Sequence, residues 1–448
     1  MDVLVNRVGY ELGGPKRFVC RCDENRGPSA RFEVTDGTGR CLLEGTCRRF
    51  GASGAGPWYY VGDFSAFRQA GGDFQIRFEA GGLSAASARF GVGSSLLWRL
   101  SKPVVLQMLR SSRASHPGPG EGASGWLDRP ARAGSSLRIG ARVVLALALA
   151  GAKDPHDPQI RSELHWGAEW LRRELLRRPS RAGPAGEVAP AGSADPEPHM
   201  ALLCGFLCAK LAEQLADIDL LRRGERVWEG HHNLGVLASP EACAAMLLTD
   251  VALHVATMEP RYLASAERHV SAIMSAIESS PGGARPCAPI ALAALAEFAS
   301  SLQQHPSTPA AKITLGRCLD SLVEAASREV WGFVPPPADA PSEDVPMLVA
   351  EEAWAVLSAR RATAGPRHAE LATNALDWLL GVNPWGRCLL VGVGMEDSGA
   401  AGVEGAIDGM LVPPPGVRRG GPGVSEPPEG GPPHIGGGAA YLAALALL

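Results

Sequence analysis

Hydrophobic and polar positions follow one period over the first part of the chain and another over the rest. Early on, short runs rich in aromatic and β-branched residues recur: Val3-Leu4-Val5, Phe18-Val19-Cys20, Arg31-Phe32-Glu33-Val34, Trp58-Tyr59-Tyr60-Val61 and Asp73-Phe74-Gln75-Ile76-Arg77-Phe78. The longer of them alternate from one residue to the next, as half-buried strands do. Between them stand Gly13-Gly14-Pro15, Asp36-Gly37-Thr38-Gly39 and Ala70-Gly71-Gly72, which are turn formers. This spacing predicts a small all-β domain over residues 1–98, a sandwich of immunoglobulin type.

After Leu100 the period becomes that of helices. It predicts helices over 139–150, 160–177, 200–221, 240–258, 261–279, 289–303, 310–329, 346–363, 367–380 and 438–448, with a weaker candidate at 103–113. In the second of these Trp166 and Trp170 share one face, and Arg172, Arg173, Glu174 and Arg177 crowd the rest. The count approaches that of an inner and an outer ring of six, and no fixed-length repeat marks a solenoid. Residues 99–448 are therefore expected to be mainly α. The segments 179–198, 333–346 and 412–433 are dense in Gly, Pro, Ala and Glu and read as loops or disordered insertions. In a helical barrel such loops gather at one end, where a ligand cleft forms.

Composition narrows the partners. The chain has 448 residues, 46% of them hydrophobic and 20% charged, with a net charge of −4 and arginines scattered along its length. No basic block suggests nucleic acid or a membrane face, and no apolar run approaches the ~20 residues of a membrane span. The opening Met1-Asp2-Val3-Leu4-Val5-Asn6-Arg7 does not read as a signal peptide, so a cytoplasmic location is expected. Ten cysteines without paired metal spacing read as reduced, mostly buried residues. Cys20/Cys22 and Cys204/Cys208 have no histidine pair to complete a site, so neither metal nor cofactor is expected. There is no Gly-x-Ser-x-Gly elbow, and Gly-Lys never occurs, which removes the P-loop.

Val3-Leu4-Val5-Asn6-Arg7-Val8-Gly9-Tyr10, followed by Gly14-Pro15-Lys16-Arg17, resembles the opening of the cellulase immunoglobulin-like module that precedes many family 9 glycoside hydrolase domains. Asp63-Phe64-Ser65 and Gly72-Asp73-Phe74 fall where that module has its later strands. Downstream, Ala375-Leu376-Asp377-Trp378-Leu379-Leu380-Gly381-Val382-Asn383-Pro384-Trp385-Gly386-Arg387 is similar to the family's Leu-Asp-Tyr-Leu-Leu-Gly-x-Asn-Pro-x-Gly block. Residues 161–171 resemble the helix after its first catalytic motif, and Gly438-Ala439-Ala440-Tyr441-Leu442 the start of its last helix. The resemblance implies an (α/α)6 barrel behind the sandwich.

It also implies a chemistry. Inverting hydrolysis needs an acid on the leaving oxygen and a base on water across the sugar, roughly 6.5 to 9.5 Å apart. The family takes its base from Gly-Gly-Trp-x-Asp-Ala-Gly-Asp, and the matching run here is Ser124-Gly125-Trp126-Leu127-Asp128-Arg129-Pro130-Ala131. Asp128 keeps the first carboxylate, and Ala131 stands at the position of the base. Counting back from Gly438 places Pro432 at the acid, with Glu429 and Glu426 just upstream as substitutes. The sugar-gripping His-His-Arg cluster should follow Gly394, where Met395-Glu396-Asp397-Ser398 stands instead.

Several residues remain as site candidates, each beside a plainer reading. Asp128 reads as a remnant cleft carboxylate, as a helix N-cap, or as a partner of Arg129 or Arg132. Trp126, Trp331 and Trp385 suit either sugar stacking or helix packing. His231 and His232 stand before the helix start at Ser239-Pro240, at the loop end or simply in solvent. Arg387 closes the Asn-Pro-x-Gly-like block. Glu351 and Glu352, adjacent on a helix, diverge and read as surface charges. The expected function is a family 9-like pseudoenzyme holding a saccharide or other small ligand without standard hydrolysis. A divergent active hydrolase, a scaffold turned to other small-molecule chemistry, and a structural or partner-binding protein are the alternatives.

Overall fold

The computed structural model describes residues 1–51, 57–113, 126, 136–177, 198–232, 239–279, 287–337, 340–341, 344–363, 365–394, 411 and 435–448. They begin with nine strands: β1 (Asp2–Leu4), β2 (Tyr10–Glu11), β3 (Arg17–Cys22), β4 (Ala30–Thr35), β5 (Cys41–Phe50), β6 (Trp58–Asp63), β7 (Gly71–Ala80), β8 (Leu83–Ala86) and β9 (Phe90–Gly93). Helices follow: α1 (Leu96–Ser111), α2 (Ser136–Lys153), α3 (Pro158–Arg177), α4 (Pro198–Leu215), α5 (Ile218–His231), α6 (Pro240–Thr257), α7 (Pro260–Ser279), α8 (Pro289–Ser301), α9 (Thr308–Ala326), α10 (Val345–Thr363), α11 (Pro366–Leu379) and α12 (Ile435–Leu447). The chain forms two compact units, one of residues 1–108, 322–353 and 366–441, the other of 109–321, 354–365 and 442–448. Among the described residues no helix is long and apolar enough to cross a membrane.

In the first unit the strands pair in the order β1-β3-β6-β5-β4-β7-β9-β2, with β8 against β7. All pairings are antiparallel except that of β2 with β9. Alternate residues turn Phe18, Phe32, Tyr60, Ile76, Phe78 and Phe90 into one core. Phe18 meets Phe32 edge to face at 5.1 Å, and Tyr10 meets Phe64 at 5.0 Å. Gly62 packs flat on Phe18, where a Cβ would come within 2.1 Å of the ring. The β5 strand escapes the sequence pattern because nine of its ten residues are half-buried or exposed, so its apolar residues do not alternate cleanly. The α1 helix starts well before the expected 103, at Leu96, whose following N–H (Leu97) is taken by the Glu11 carboxylate at 2.9 Å. Pro103 then lies inside it and forfeits one helical hydrogen bond.

In the second unit α6 and α8 are buried on nearly every side, while α5 and α7 bury a single stripe. On α6 every residue from Ala242 to Leu253 is buried, whereas α7 buries Tyr262, Ser265, Ala266, His269, Val270 and Ile273 at helical spacing. The α4 helix packs on α2, α5 and α6, and α6 on α7 and α8. The single helix expected over 200–221 is two. Ala216 adopts φ 52°, and the Asp217 carboxylate accepts the N–H groups of Asp219 and Leu220 as the cap of α5. The apolar pattern runs through because both helices face the same core.

Connections differ by direction. Those from an even helix to the next odd one are short (154–157, 216–217, 258–259), while those from odd to even are long (178–197, 232–239, 280–288). The long connections therefore all lead into the N-terminal ends of even helices.

Candidate functional site

The run that carries the family's base leads in sequence into α2, and its described residue is Trp126. The ring is buried, 6.1 Å from that of Trp170 on α3, and its backbone bridges Arg113. Trp170 in turn lies on Gly140 of α2, where a Cβ would come within 2.2 Å of the indole. Arg113 covers Trp166 at 4.6 Å and pairs with the fully buried Glu163 at 2.7 Å, with Arg110 at 3.4 Å on the same carboxylate. The indole N–H groups of Trp126 and Trp166 are both buried without an acceptor among the described residues. These two donors lie close to Arg113 and the Glu163 carboxylate. The Trp126 ring is 3% exposed, packed among the rings of this cluster.

His231 and His232 close α5. The His231 ring contacts the Val227 carbonyl at 2.7 Å, and His232 stacks on Trp228 at 4.6 Å. Beneath them Trp228 donates its indole N–H to Asp250 at 2.6 Å, and His269 Nδ1 meets the other Asp250 oxygen at 2.9 Å. Ser265 lies 3.5 Å from that same Nδ1, so this Ser-His-Asp set lacks the relay geometry of a nucleophilic triad. Burial pushes the Asp250 carboxyl up, against the hydrogen bond from His269. The set ties α5, α6 and α7 together.

In the first unit, Asn6 spans the sandwich and the block 375–387. Its Nδ2 donates to Asp377 at 2.6 Å, while its Oδ1 accepts the N–H of Val8 at 2.9 Å and of Gly9 at 3.1 Å. Asp377 is fully buried and its second oxygen has no hydrogen-bond partner among the described residues; desolvation pushes its carboxyl up to about 8, opposed by Asn6 and Arg17. Burial likewise lowers Lys16 to about 8 and Arg17 to about 10. Asn383 organises the turn that follows: its Nδ2 donates to the carbonyls of Trp378 and Arg387, both at 2.7 Å, and its Oδ1 accepts the N–H groups of Trp385 and Arg387. Gly381 sits at φ +132° with Val5 O only 2.7 Å from where a Cβ would stand, so only glycine fits.

This gives the remaining candidates their places. Trp385 is half-buried and meets Trp378 edge to face at 5.7 Å. Trp331 packs at 5.5 Å on Tyr59, beside the apolar cluster of Leu4, Val19 and Val382. Arg387 is exposed, its backbone held by Asn383. Asp128, Ala131, Glu426, Glu429 and Pro432 lie outside the described residues. Glu352 is buried and Glu351 half-buried, which corrects their reading as surface charges. Sequence alone does not single out Asn6, Asp377 or Glu163 as site residues; for Asp377, a charge amid the apolar run Ala375-Leu376-Asp377-Trp378-Leu379-Leu380 is the available signal, whereas Glu163 sits among Arg161, Ser162 and His165 with none. Among the described residues Glu33, Cys41 and Glu44 bring possible metal-ligand atoms together on an open face of the sandwich, while Cys20 and Cys22 stand 3.9 Å apart within its core.

Residues 1–82 match the family described as the cellulase N-terminal ig-like domain. No curated protein matches the chain in sequence. Solved structures share its fold from end to end. A family 9 glycoside hydrolase from Bacteroides ovatus aligns at TM-score 0.67 and 15% identity, covering 99% of this chain and 98% of its own. The structure of AaCel9A in complex with a cellobiose-like isofagomine aligns at TM-score 0.68 and 18% identity, covering 100% and 99%. A metagenome-derived family 9 endoglucanase aligns at TM-score 0.67 and 19% identity, covering 99% and 98%. The chain thus has an Ig-like β domain followed by the α/α barrel fold of family 9 glycoside hydrolases.

Proposed function

We propose that this protein is a family 9-like scaffold that holds a saccharide in its loop-end cleft without standard inverting hydrolysis. The observation that carries the reading is the pair Ala131 and Pro432, neither ionisable, at the positions that the family motifs assign to base and acid. The full-length likeness to family 9 structures supports comparing those positions, and one such relative was solved with a cellobiose-like ligand. Loss of one general acid or base costs on the order of 10²- to 10⁴-fold in rate, so losing both leaves little of the reaction. Residual capacity to bind rests on the buried indole donors and Arg113 beside the first motif, and on Asp128.

Calorimetric titration of the wild-type protein with a cello-oligosaccharide, followed by chromatography of the recovered sugar, tests this. Saturable binding with the oligosaccharide intact is the expected result. Shortened products favour the divergent hydrolase built on Glu426 or Glu429. Absence of saturable binding overturns the ligand reading and leaves a structural or partner-binding role.

A further inference from the structure

One cavity of the second unit lies among the described helices, away from the N-terminal ends of the even ones. It holds about 800 Å³ and is lined by the C-terminal halves of α2, α4 and α8, with Trp354 to Arg361 of α10, Leu447 of α12, and the turn at Pro155 and His156. That is the short-connection end of the even helices. On α2 the lining runs from Leu145 to Ala152, so it begins about 13 Å along the axis from Ser136, where the run bearing Asp128 enters. The volume lies within the range of roughly 300 to 1,000 Å³ usual for small-ligand pockets.

From its lining we infer that this cavity is a second, separate site for an amphiphile with an apolar acyl or aryl body and one anionic head. The body has Leu149, Leu203, Phe206, Leu248 and Trp354 to lie against. The head needs uncommitted cations, and the helix C-termini that meet here carry partial negative charge which opposes it. Two of the nearby cations are spent on local demands. Lys210 pairs with Glu297 at 2.5 Å, and Lys153 donates to the Leu445 carbonyl near the end of α12 at 2.9 Å. Arg161 and Arg361 also line the cavity, are exposed, and have no carboxylate partner among the described residues. Glu213 is the one lining carboxylate likewise without a cation among those residues, which leaves an excess of positive charge at the rim. A cavity walled by leucines with two open guanidiniums selects an anion that carries its own apolar body; a sugar would leave most of those walls unmatched.

The test uses the full chain and decanoate below its micellar concentration, read by calorimetry. Wild type should bind one equivalent saturably. Arg161→Ala/Arg361→Ala should weaken decanoate at least tenfold while leaving an uncharged octanol probe within twofold. Ala152→Trp, an exposed position on the lining, should abolish binding of both with the thermal melt unchanged, and should leave cello-oligosaccharide binding as in wild type. No saturable binding by wild type, equal binding by all three proteins, or displacement of decanoate by cello-oligosaccharide each overturns the proposal. Because the sugar titration is read separately, failure here and failure of the proposed function are told apart.

Discussion

Asp377 is the residue at which the physical chemistry is most exposed to measurement. Its carboxyl is enclosed, with Asn6 its one direct partner among the described residues and Arg17 close by, and burial outweighs both, raising it to about 8. In the unfolded chain the same group gives up its proton near ~3.9. Between those values the folded protein binds more protons than the unfolded one, so this group's contribution to stability is full below about 4 and is lost as pH rises through about 8. Melting temperatures of wild type should therefore fall between pH 5 and 8 more steeply than those of Asp377→Asn. Asparagine keeps the hydrogen bond from Asn6 and has no charge to desolvate. Parallel slopes in the two proteins would show that Asp377 is already ionised at pH 5. Asn383 shows how a residue can look like a site and be architecture: among the described residues, all four of its side-chain hydrogen bonds go to the backbone of its own turn. The Asn-Pro-x-Gly pattern is thus explained by a fold before any ligand is invoked.

At the scale of elements, alternate helices divide the work between core and surface, and buried polar contacts fix how neighbours meet. Asp250 on α6 holds Trp228 of α5 and His269 of α7, all three nearly inaccessible to solvent. Removing His269 leaves a buried carboxyl short of its main partner, and breaking such a pair costs about 3 kcal/mol or more. His269→Ala should lower stability in urea unfolding by about that amount, and adding Asp250→Asn should recover part of it. Additive losses would mean that the two side chains act independently. The same helices explain what the sequence made legible. Period and punctuation located nearly every helix and five of the nine strands, because α6 and α7 are opposite extremes of burial and Ser239-Pro240 caps α6 as read. The break between α4 and α5 was hidden because it depends on one left-handed residue and one capping carboxylate inside a continuous apolar pattern. The β5 strand was hidden because half-exposed positions carry a weak signal. Site candidates were harder still. Tryptophan type does not distinguish a sugar platform from packing, and Trp126 and Trp331 are both held against other rings.

Across the whole molecule, the chain keeps the fold of family 9 hydrolases at 15 to 19% identity, and its opening matches the cellulase ig-like family. What is retained in sequence is what the fold requires: Asn6, Gly9, Tyr10, Asp377, Gly381 and Asn383 are all buried in mutually supporting contacts. Under the proposed reading, Ala131 and Pro432 stand in the connections before α2 and α12 at the positions that the resemblance assigns to base and acid. The decisive measurement is product release from soluble β-1,4-glucans and aryl β-glycosides by wild type beside Asp128→Ala. The account predicts that both give the same background rate, since Asp128 cannot act as base and acid on opposite faces of one sugar. Turnover by wild type that Asp128→Ala abolishes would contradict it.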